Sequence, residues 1–207
     1  MQELLHVIAV AHGRLPELRV FIQSWLNQTN SNWSMTLIHD GECPDFIALM
    51  NEPNYKHPSI KYFCTKTRHN DYGHTLRDEG LKQATGTYTL LTNGDNYFIP
   101  KSVELIAATV ARLRAEGKGD PDVILFDMIH SHNNPGGRRQ TPYNHFKVEF
   151  KPHCIDISSA VVKTEIAKKA GFRDRSHDGD QTYFRDIAEQ NKDLTVAKIN
   201  CTLLVHN

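Results

Sequence analysis

The sequence predicts an α/β fold in which a mixed, Rossmann-like central sheet is flanked by helices. Short apolar runs alternate with segments of helical hydrophobic spacing through the first half of the chain. The first strand, helix and strand fall within about forty residues, which is the size of a βαβ unit. The 207 residues, 39% of them hydrophobic, suffice for one domain with a sizeable core. We therefore expect a single α/β domain over residues 1–207.

The first half of the chain supplies most of the predicted sheet. Residues 4–11 form a continuous apolar run, as expected for a strand that is buried on both faces. Residues 15–28 predict a helix because their apolar side chains recur at helical spacing. Residues 33–41 predict a second strand that ends in Asp-Gly. The alternation continues with predicted helices at 45–51, 75–84 and 102–116, and with predicted strands at 60–64, 87–92 and 123–126.

The second half is less regular. Residues 131–140 are polar, Gly-rich and basic, and such a long loop is typical of a functional or a mobile segment. Arg138 and Arg139 in this loop are candidates for contact with an acceptor or a phosphate, with plain solvation as the alternative. Beyond the loop, the pattern predicts strands at 145–150, 155–162 and 194–205, and helices at 163–170 and 181–190.

A turn rich in amides and acids follows the strand at 87–92. The turn is Asn93-Gly94-Asp95, and Asn96 comes next. In an open α/β sheet, ligands bind beyond the carboxyl ends of the strands. Carboxylate and amide oxygens suit Mg²⁺ and Mn²⁺, and these ions bridge to substrate phosphates. The turn therefore indicates a metal–diphosphate site, although Asn-Gly-Asp is also typical of an ordinary turn.

The composition argues against several classes of function. The 24 basic residues balance the 24 acidic ones, so nucleic acid held in a broad positive field is not expected. The four cysteines lie far apart without a CxxC pair, which predicts reduced thiols in a cytoplasmic protein. Neither a leader pattern nor an apolar run of membrane-spanning length is visible, while peripheral contact with a membrane stays open.

Several motifs together resemble the family 2 glycosyltransferases of the GT-A fold. Residues 24–28, Ser-Trp-Leu-Asn-Gln, are similar to the family's "SL…Q" helix. Residues 73–88 resemble its "G…RN.G…A.GeY" segment, which leads directly into the DxD strand end. Gly171-Phe172, followed by Asp178 and Asp180, is similar to the later "GF…ED" acidic motif. The resemblance covers most of residues 4–100 and 155–190, and the motifs keep their order and spacing.

The resemblance implies a GT-A type domain that binds a nucleotide-sugar with residues from about 1–127 and provides the acceptor and catalytic half from about 128–207. In this interpretation Asp40 faces the nucleotide base, and Arg77 meets the diphosphate because a guanidinium offers two donors to phosphate oxygens. The donor contacts that the resemblance implies are Ala11, His12, Arg14, Asp40, Arg77, Asn93 and Asp95.

The resemblance also implies Mn²⁺ or Mg²⁺ as the cofactor. Its expected ligands are Asp95, Asn93 and the late histidine His206. The first carboxylate of the DxD motif is replaced here by Asn93, and Asp78 stands where the family often has Asn. An amide still coordinates a metal or binds a ribose hydroxyl, but it contributes no charge.

The acidic motif supplies two candidates for the general base. In an inverting transfer, a carboxylate accepts the proton of the acceptor hydroxyl as that oxygen attacks the anomeric carbon. Asp180 has the better offset to the following apolar residue, and Asp178 is a close second. An Asp just before a helix also serves as an N-cap, which one of the two could be doing.

The predicted activity is therefore transfer of a sugar from a nucleotide-diphospho-sugar to a hydroxyl acceptor, with inversion. UDP is the nucleotide that the family favours, and the acceptor is a carbohydrate, a lipid or a protein. A homodimer is a possible assembly. The first alternative is a GT-A-like module that binds nucleotide-sugar without turnover, which the amide at position 93 keeps open. The second is a sugar nucleotidyltransferase, which ranks lower because residues 11–16 are not a Gly-rich loop.

Overall fold

A nine-stranded mixed sheet forms the centre of the molecule in the computed structural model, which describes residues 3–132 and 140–207. The strands are β1 Leu5–Ala11, β2 Trp33–His39, β3 Ile60–Cys64, β4 Tyr88–Asn93, β5 Tyr97–Phe98, β6 Val123–His132, β7 Gln140–Phe146, β8 Ala160–Lys163 and β9 Val196–His206. The helices are α1 Leu15–Leu26, α2 Pro44–Asn51, α3 His74–Gln83, α4 Ser102–Ala115, α5 Thr164–Ala170 and α6 Gly179–Gln190. The predicted α/β alternation is confirmed.

The strand order brings the functional strand ends together. It runs β3-β2-β1-β4-β8-β6-β9-β5, and β7 pairs with β6. β1 is parallel to β2 and β4, and β2 is parallel to β3. β8 runs antiparallel to both β4 and β6, so the sheet is mixed, as expected. Because the first four strands are parallel, their carboxyl ends lie along one edge of the sheet.

The core follows the hydrophobic patterns of the sequence. All seven residues of β1 are buried, which requires that both faces of this central strand are covered. Helix α1 buries Leu18, Phe21, Ile22 and Trp25, the stripe expected from its periodicity. Each such side chain stabilises the fold by roughly 1.5–3 kcal/mol when it leaves water.

Two strand predictions in the second half need correction. The segment predicted as a strand at 155–162 begins with a 3-10 turn, Ile157–Ser159, and only Ala160–Lys163 pairs in the sheet. The Asp156 side chain accepts a hydrogen bond from Ser158 N (2.8 Å), which favours the turn over extended pairing. The strand predicted at 145–150 lies earlier, at Gln140–Phe146, because it pairs with a long β6 that continues to His132.

Strand β5 was missing from the sequence prediction, because two residues are too short for an alternating pattern. It pairs antiparallel with β9, with Tyr97 opposite Val205 and Phe98 opposite Leu204. This pairing draws the last residues of the chain toward the turn at 93–95. Asn207 donates from Nδ2 to Asp95 O (2.7 Å) and from its backbone N to Asn96 Oδ1 (3.3 Å).

Two sequence expectations concern other parts of the chain. Arg138 and Arg139 fall within residues 133–139, which lie outside the described residues. Of the helices in the described ranges, none combines the length and the apolar character that a membrane crossing requires.

Candidate active site

A cleft of about 440 Å³ opens at the edge of the sheet where β1, β2 and β4 end. The loop before α3 and the first turn of that helix close its other side, with Asn70, Tyr72 and Gly73 in the wall. Six of the seven predicted donor-contact residues line this cleft: Ala11, His12, Arg14, Asp40, Asn93 and Asp95. The predicted donor contacts therefore gather at one edge of the sheet because the parallel strands end there, and donor binding by them stays a prediction.

Asp95 lies at the cleft with one oxygen paired and one oxygen open. Arg14 Nη1 donates to Asp95 Oδ2 at 2.7 Å. Arg14 precedes α1 in the left-handed region, at φ 48°, and this conformation sends the chain from β1 into the helix. Asp95 Oδ1 is buried and has no hydrogen-bond partner among the described residues. A buried carboxylate oxygen without a partner is costly, so its retention favours a ligand at this position.

Asp40, which the sequence predicts to bind the nucleotide base, lines the wall of the cleft. Its Oδ1 accepts from His69 N (2.8 Å), and its Oδ2 accepts from Asn70 N (3.0 Å). Its carbonyl oxygen lies 3.1 Å from Nδ1 of His12. Asp40 is only 7% exposed, and its two bonds fix the backbone of residues 69–70. Each oxygen keeps a second lone pair, so base recognition by Asp40 stays a prediction.

Arg77 is the exception among the predicted donor contacts. It is 2% exposed, and its guanidinium lies behind the cleft wall rather than in it. Nη2 donates to Asn93 Oδ1 (2.6 Å), and Nη1 donates to Tyr72 O (2.8 Å). The direct contact that we expected between Arg77 and the diphosphate therefore needs correction. Arg77 instead holds the Asn93 side chain and the Tyr72 carbonyl from behind the cleft wall.

The three expected metal ligands do not converge in one cluster. Among residues 3–132 and 140–207, no group of three or more His, Cys, Asp or Glu side chains is placed to hold an ion. Asn93 Oδ1 already accepts from a guanidinium, and a cation there would be repelled, so Asn93 does not fit as a ligand. His206 Nε2 lies 3.8 Å from Asp156 Oδ2. Of the three expected ligands, only Asp95 offers a carboxylate oxygen, Oδ1, that has no hydrogen-bond partner in the described part of the chain, which suits an ion that is held mainly by substrate phosphates.

The two candidate bases differ in enclosure. Asp178 is the N-cap residue of α6, its side chain is 82% exposed, and it makes no capping hydrogen bond. Asp180 is 29% exposed, and its buried Oδ1 has no hydrogen-bond partner in the described part of the chain. Burial raises the pKa of Asp180 to about 6 against the opposing charge of Arg77, and Asp156 adds to the rise. A partly exposed carboxylate with a pKa just below neutrality suits a general base, so Asp180 is the better candidate.

His74 joins the two ends of the site, and no sequence signal marked it. It is 1% exposed and opens α3. Its Nδ1 lies 3.2 Å from Arg77 Nη1, and its Nε2 lies 3.0 Å from the carbonyl oxygen of Ser176 in the loop before α6. The bond with Arg77 links His74 to the cleft wall. The bond with Ser176, 102 residues away in sequence, links it to the segment before the proposed general base Asp180.

The fold and the cleft define an α/β domain with a polar site at the carboxyl ends of its parallel strands, and the comparisons give its family. Residues 6–152 match the model of glycosyl transferase family 2, which covers well over half of the chain, so the chain belongs to this family. A Rickettsia bellii (strain RML369-C) protein described as an uncharacterized glycosyltransferase is 30% identical over 99 residues. That match covers 48% of this chain but only 14% of the relative.

Solved structures show the same fold. The crystal structure of S. aureus TarS residues 1–349 has a TM-score of 0.75 at 15% identity, over 99% of this chain and 60% of that chain. The TarS structure in complex with UDP-GlcNAc has a TM-score of 0.76 at 14% identity, over 98% of this chain and 58% of that chain. The predicted GT-A type fold in a single domain is confirmed.

Proposed function

We propose that the chain is the catalytic domain of a glycosyltransferase that moves a sugar from a UDP-sugar to a hydroxyl acceptor, with inversion. Membership of family 2 supports the transferase class. The complexes of TarS with UDP and with UDP-GlcNAc support a donor of this kind for a similar fold. The observation that carries the proposal is the Asp180 carboxylate: its side chain is 29% exposed, and its Oδ1 has no hydrogen-bond partner among the described residues. Arg77 and His74 connect it to the cleft residue Asn93.

The chemistry requires one proton acceptor and one displacement. Asp180, as the carboxylate, takes the proton of the acceptor hydroxyl while that oxygen attacks the anomeric carbon. The bond from the anomeric carbon to the diphosphate oxygen breaks, and its electron pair leaves with the nucleoside diphosphate. Direct displacement inverts the anomeric configuration, and no covalent enzyme intermediate forms.

Charge on the leaving diphosphate needs stabilisation at the cleft. Arg14 is 61% exposed at the cleft wall, and its guanidinium is within reach of a phosphate if the Asp95 ion pair opens. Mn²⁺ or Mg²⁺, held by Asp95 Oδ1 together with donor phosphates, would neutralise the charge that develops there. We therefore assign Asp95 the metal-binding role that the sequence predicts, without Asn93 as a second ligand.

A binding module without turnover is the second candidate. The neutral side chain of Asn93 and the ion pair between Arg14 and Asp95 favour it, because both reduce the negative charge that is available to a metal. The two candidates differ in one observable: only the transferase releases UDP from a bound donor.

The test is UDP release from UDP-GlcNAc and other UDP-sugars with Mn²⁺, measured for the wild type, Asp180→Asn and Asp178→Asn. We expect Asp180→Asn to lower the rate by about 10²–10⁴-fold, the usual contribution of a general base. Asp178→Asn is the matched control and should stay near the wild-type rate. A wild-type protein that binds a donor but releases no UDP would identify the binding module. A larger loss in Asp178→Asn than in Asp180→Asn would move the base to Asp178.

A further inference from the structure

His74 is enclosed between the cleft wall and helix α6, which carries the proposed general base Asp180. Its ring stacks on Phe172, with centroids 5.3 Å apart and an interplanar angle of 14°. Gly179, the first residue of α6, approaches so closely that a Cβ there would lie 2.6 Å from His74 Nε2. The amino end of α6 therefore packs directly against the imidazole of His74.

The hydrogen bonds of His74 define its tautomer. A guanidinium only donates, so Nδ1, which lies 3.2 Å from Arg77 Nη1, is the acceptor. A carbonyl only accepts, so Nε2, at 3.0 Å from Ser176 O, carries the proton. The ring is therefore neutral with its proton on Nε2. Burial and the charge of Arg77 lower the pKa of His74 to about 4, which agrees with this state near neutral pH.

This tautomer leaves Asp180 Oδ1 without a hydrogen bond from the imidazole. Asp180 Oδ1 lies 3.7 Å from His74 Nδ1, and an unprotonated Nδ1 has no hydrogen to donate. The Nδ1 lone pair accepts from Arg77 Nη1, so the imidazole offers the carboxylate no hydrogen bond. Asp180 Oδ1 consequently has no hydrogen-bond partner among the described residues.

We propose that His74 is a positioning residue for the transfer reaction: it holds Arg77 beneath Asn93 and the 176–180 segment against α3, so that the donor cleft and Asp180 act on one substrate. This inference rests on the proposed function, since it assigns the base role to Asp180. It goes beyond that function because His74 itself touches neither the donor cleft nor the reacting atoms.

Other charged groups also face this pair, and the test must allow for them. Around His74 these are Arg77, Arg175, Asp71 and Asp174. Around Asp180 they are Arg77, Asp156, His177 and His206. None of these side chains is changed in the variants below, so a difference between variants reports on His74.

Three substitutions separate the two hydrogen bonds. His74→Phe removes both bonds and keeps a ring on Phe172. His74→Asn retains an acceptor near the position of Nδ1, and His74→Gln retains a donor near the position of Nε2. His6→Phe is the matched control, because His6 is 5% exposed, is bonded to Thr36 Oγ1 at 3.0 Å, and lies near the amino end of β1, away from the cleft.

The first readout is turnover of UDP-GlcNAc with Mn²⁺. We expect kcat to fall about 100-fold in His74→Phe, since a misplaced catalytic group costs this much, while the Kd of UDP changes little. His74→Asn and His74→Gln should each recover part of kcat. Equal losses of kcat in His74→Phe and His6→Phe would overturn the proposal, because they would show only a structural role.

The second readout does not need turnover. The midpoint of a ¹³C NMR titration of the Asp180 carboxyl should move to lower pH in His74→Phe, because Arg77 Nη1 loses its acceptor on His74 and its N–H is freed to stabilise the carboxylate. His74→Asn should keep the wild-type midpoint, since its acceptor remains. An unchanged midpoint in His74→Phe would refute the positioning role. If the wild type fails to turn over any donor, the proposed function fails, and this titration still decides the role of His74.

Discussion

Replacing Asp180 by Asn should stabilise the protein at high pH while it slows transfer. The pKa of Asp180 is about 6 in the folded protein, against an ordinary value of 3.8. The two values differ by roughly two pH units, and each is worth about 1.36 kcal/mol, which gives about 3 kcal/mol. Because 29% of the side chain is exposed, solvent screening reduces this to about 2 kcal/mol.

The sign follows from proton binding. The folded protein holds the Asp180 proton more tightly than the unfolded chain does, so ionisation of this group costs folding free energy. Below pH 3.8 both states are protonated and the cost is absent. It grows as the pH rises from 3.8 and is complete above about 6. The neutral amide of Asp180→Asn escapes it at every pH.

Urea denaturation at pH 4 and pH 8 measures this effect. We expect Asp180→Asn to be more stable than the wild type by about 2 kcal/mol at pH 8, with a much smaller difference at pH 4. Asp178→Asn, at an 82% exposed site, is the control and should show the same small difference at both pH values. A difference for Asp180→Asn that is independent of pH, or a destabilisation at pH 8, would refute the argument that burial raises this pKa.

Three further predictions concern the groups around the cleft. Arg77→Met should destabilise the fold by about 2–4 kcal/mol in urea denaturation, because it leaves buried acceptors without a donor; a loss below 1 kcal/mol would contradict the positioning role. Gly179→Ala should lower both the thermal midpoint and the rate of UDP release, since its Cβ would lie 2.7 Å from the carbonyl oxygen of Asp174; unchanged activity would show that α6 moves freely. Arg14→Gln should tighten Mn²⁺ binding in the absence of nucleotide, measured by calorimetry, because it removes the cation paired with Asp95; weaker binding would contradict this.

The sequence was sufficient for the parallel strands β1 to β4 and for the edge of the sheet at which the cleft opens. The apolar run of β1 and the stripe on α1 are local patterns that the packed structure satisfies. The polar residues after β1, β2 and β4 meet because parallel strands end at one edge. Family resemblance named six residues that line the cleft, and periodicity alone would have suggested only the turn at 93–95.

The sequence could not reveal how the polar groups pair in three dimensions. Arg77 looked like a solvent-facing phosphate ligand, but Gly73 lets α3 approach β1 closely, and the guanidinium turns inward to Asn93. His74 and Ser176 are 102 residues apart, so their contact has no local signature. The preference for Asp180 over Asp178 likewise rests on their different exposure, 29% against 82%. Two acidic residues so close in sequence give no sign of this difference.

Thermal stability against a panel of nucleotide-sugars, with and without Mn²⁺ and repeated on Asp95→Ala, tests the central claim most directly. A ligand that binds only the folded state raises the midpoint by mass action, by about 2.7 kcal/mol of stability at one hundred times its Kd. We predict a Mn²⁺-dependent rise with a UDP-sugar that is lost in Asp95→Ala. If no donor raises the midpoint, or if Asp95→Ala responds like the wild type, the cleft is not the metal–diphosphate site.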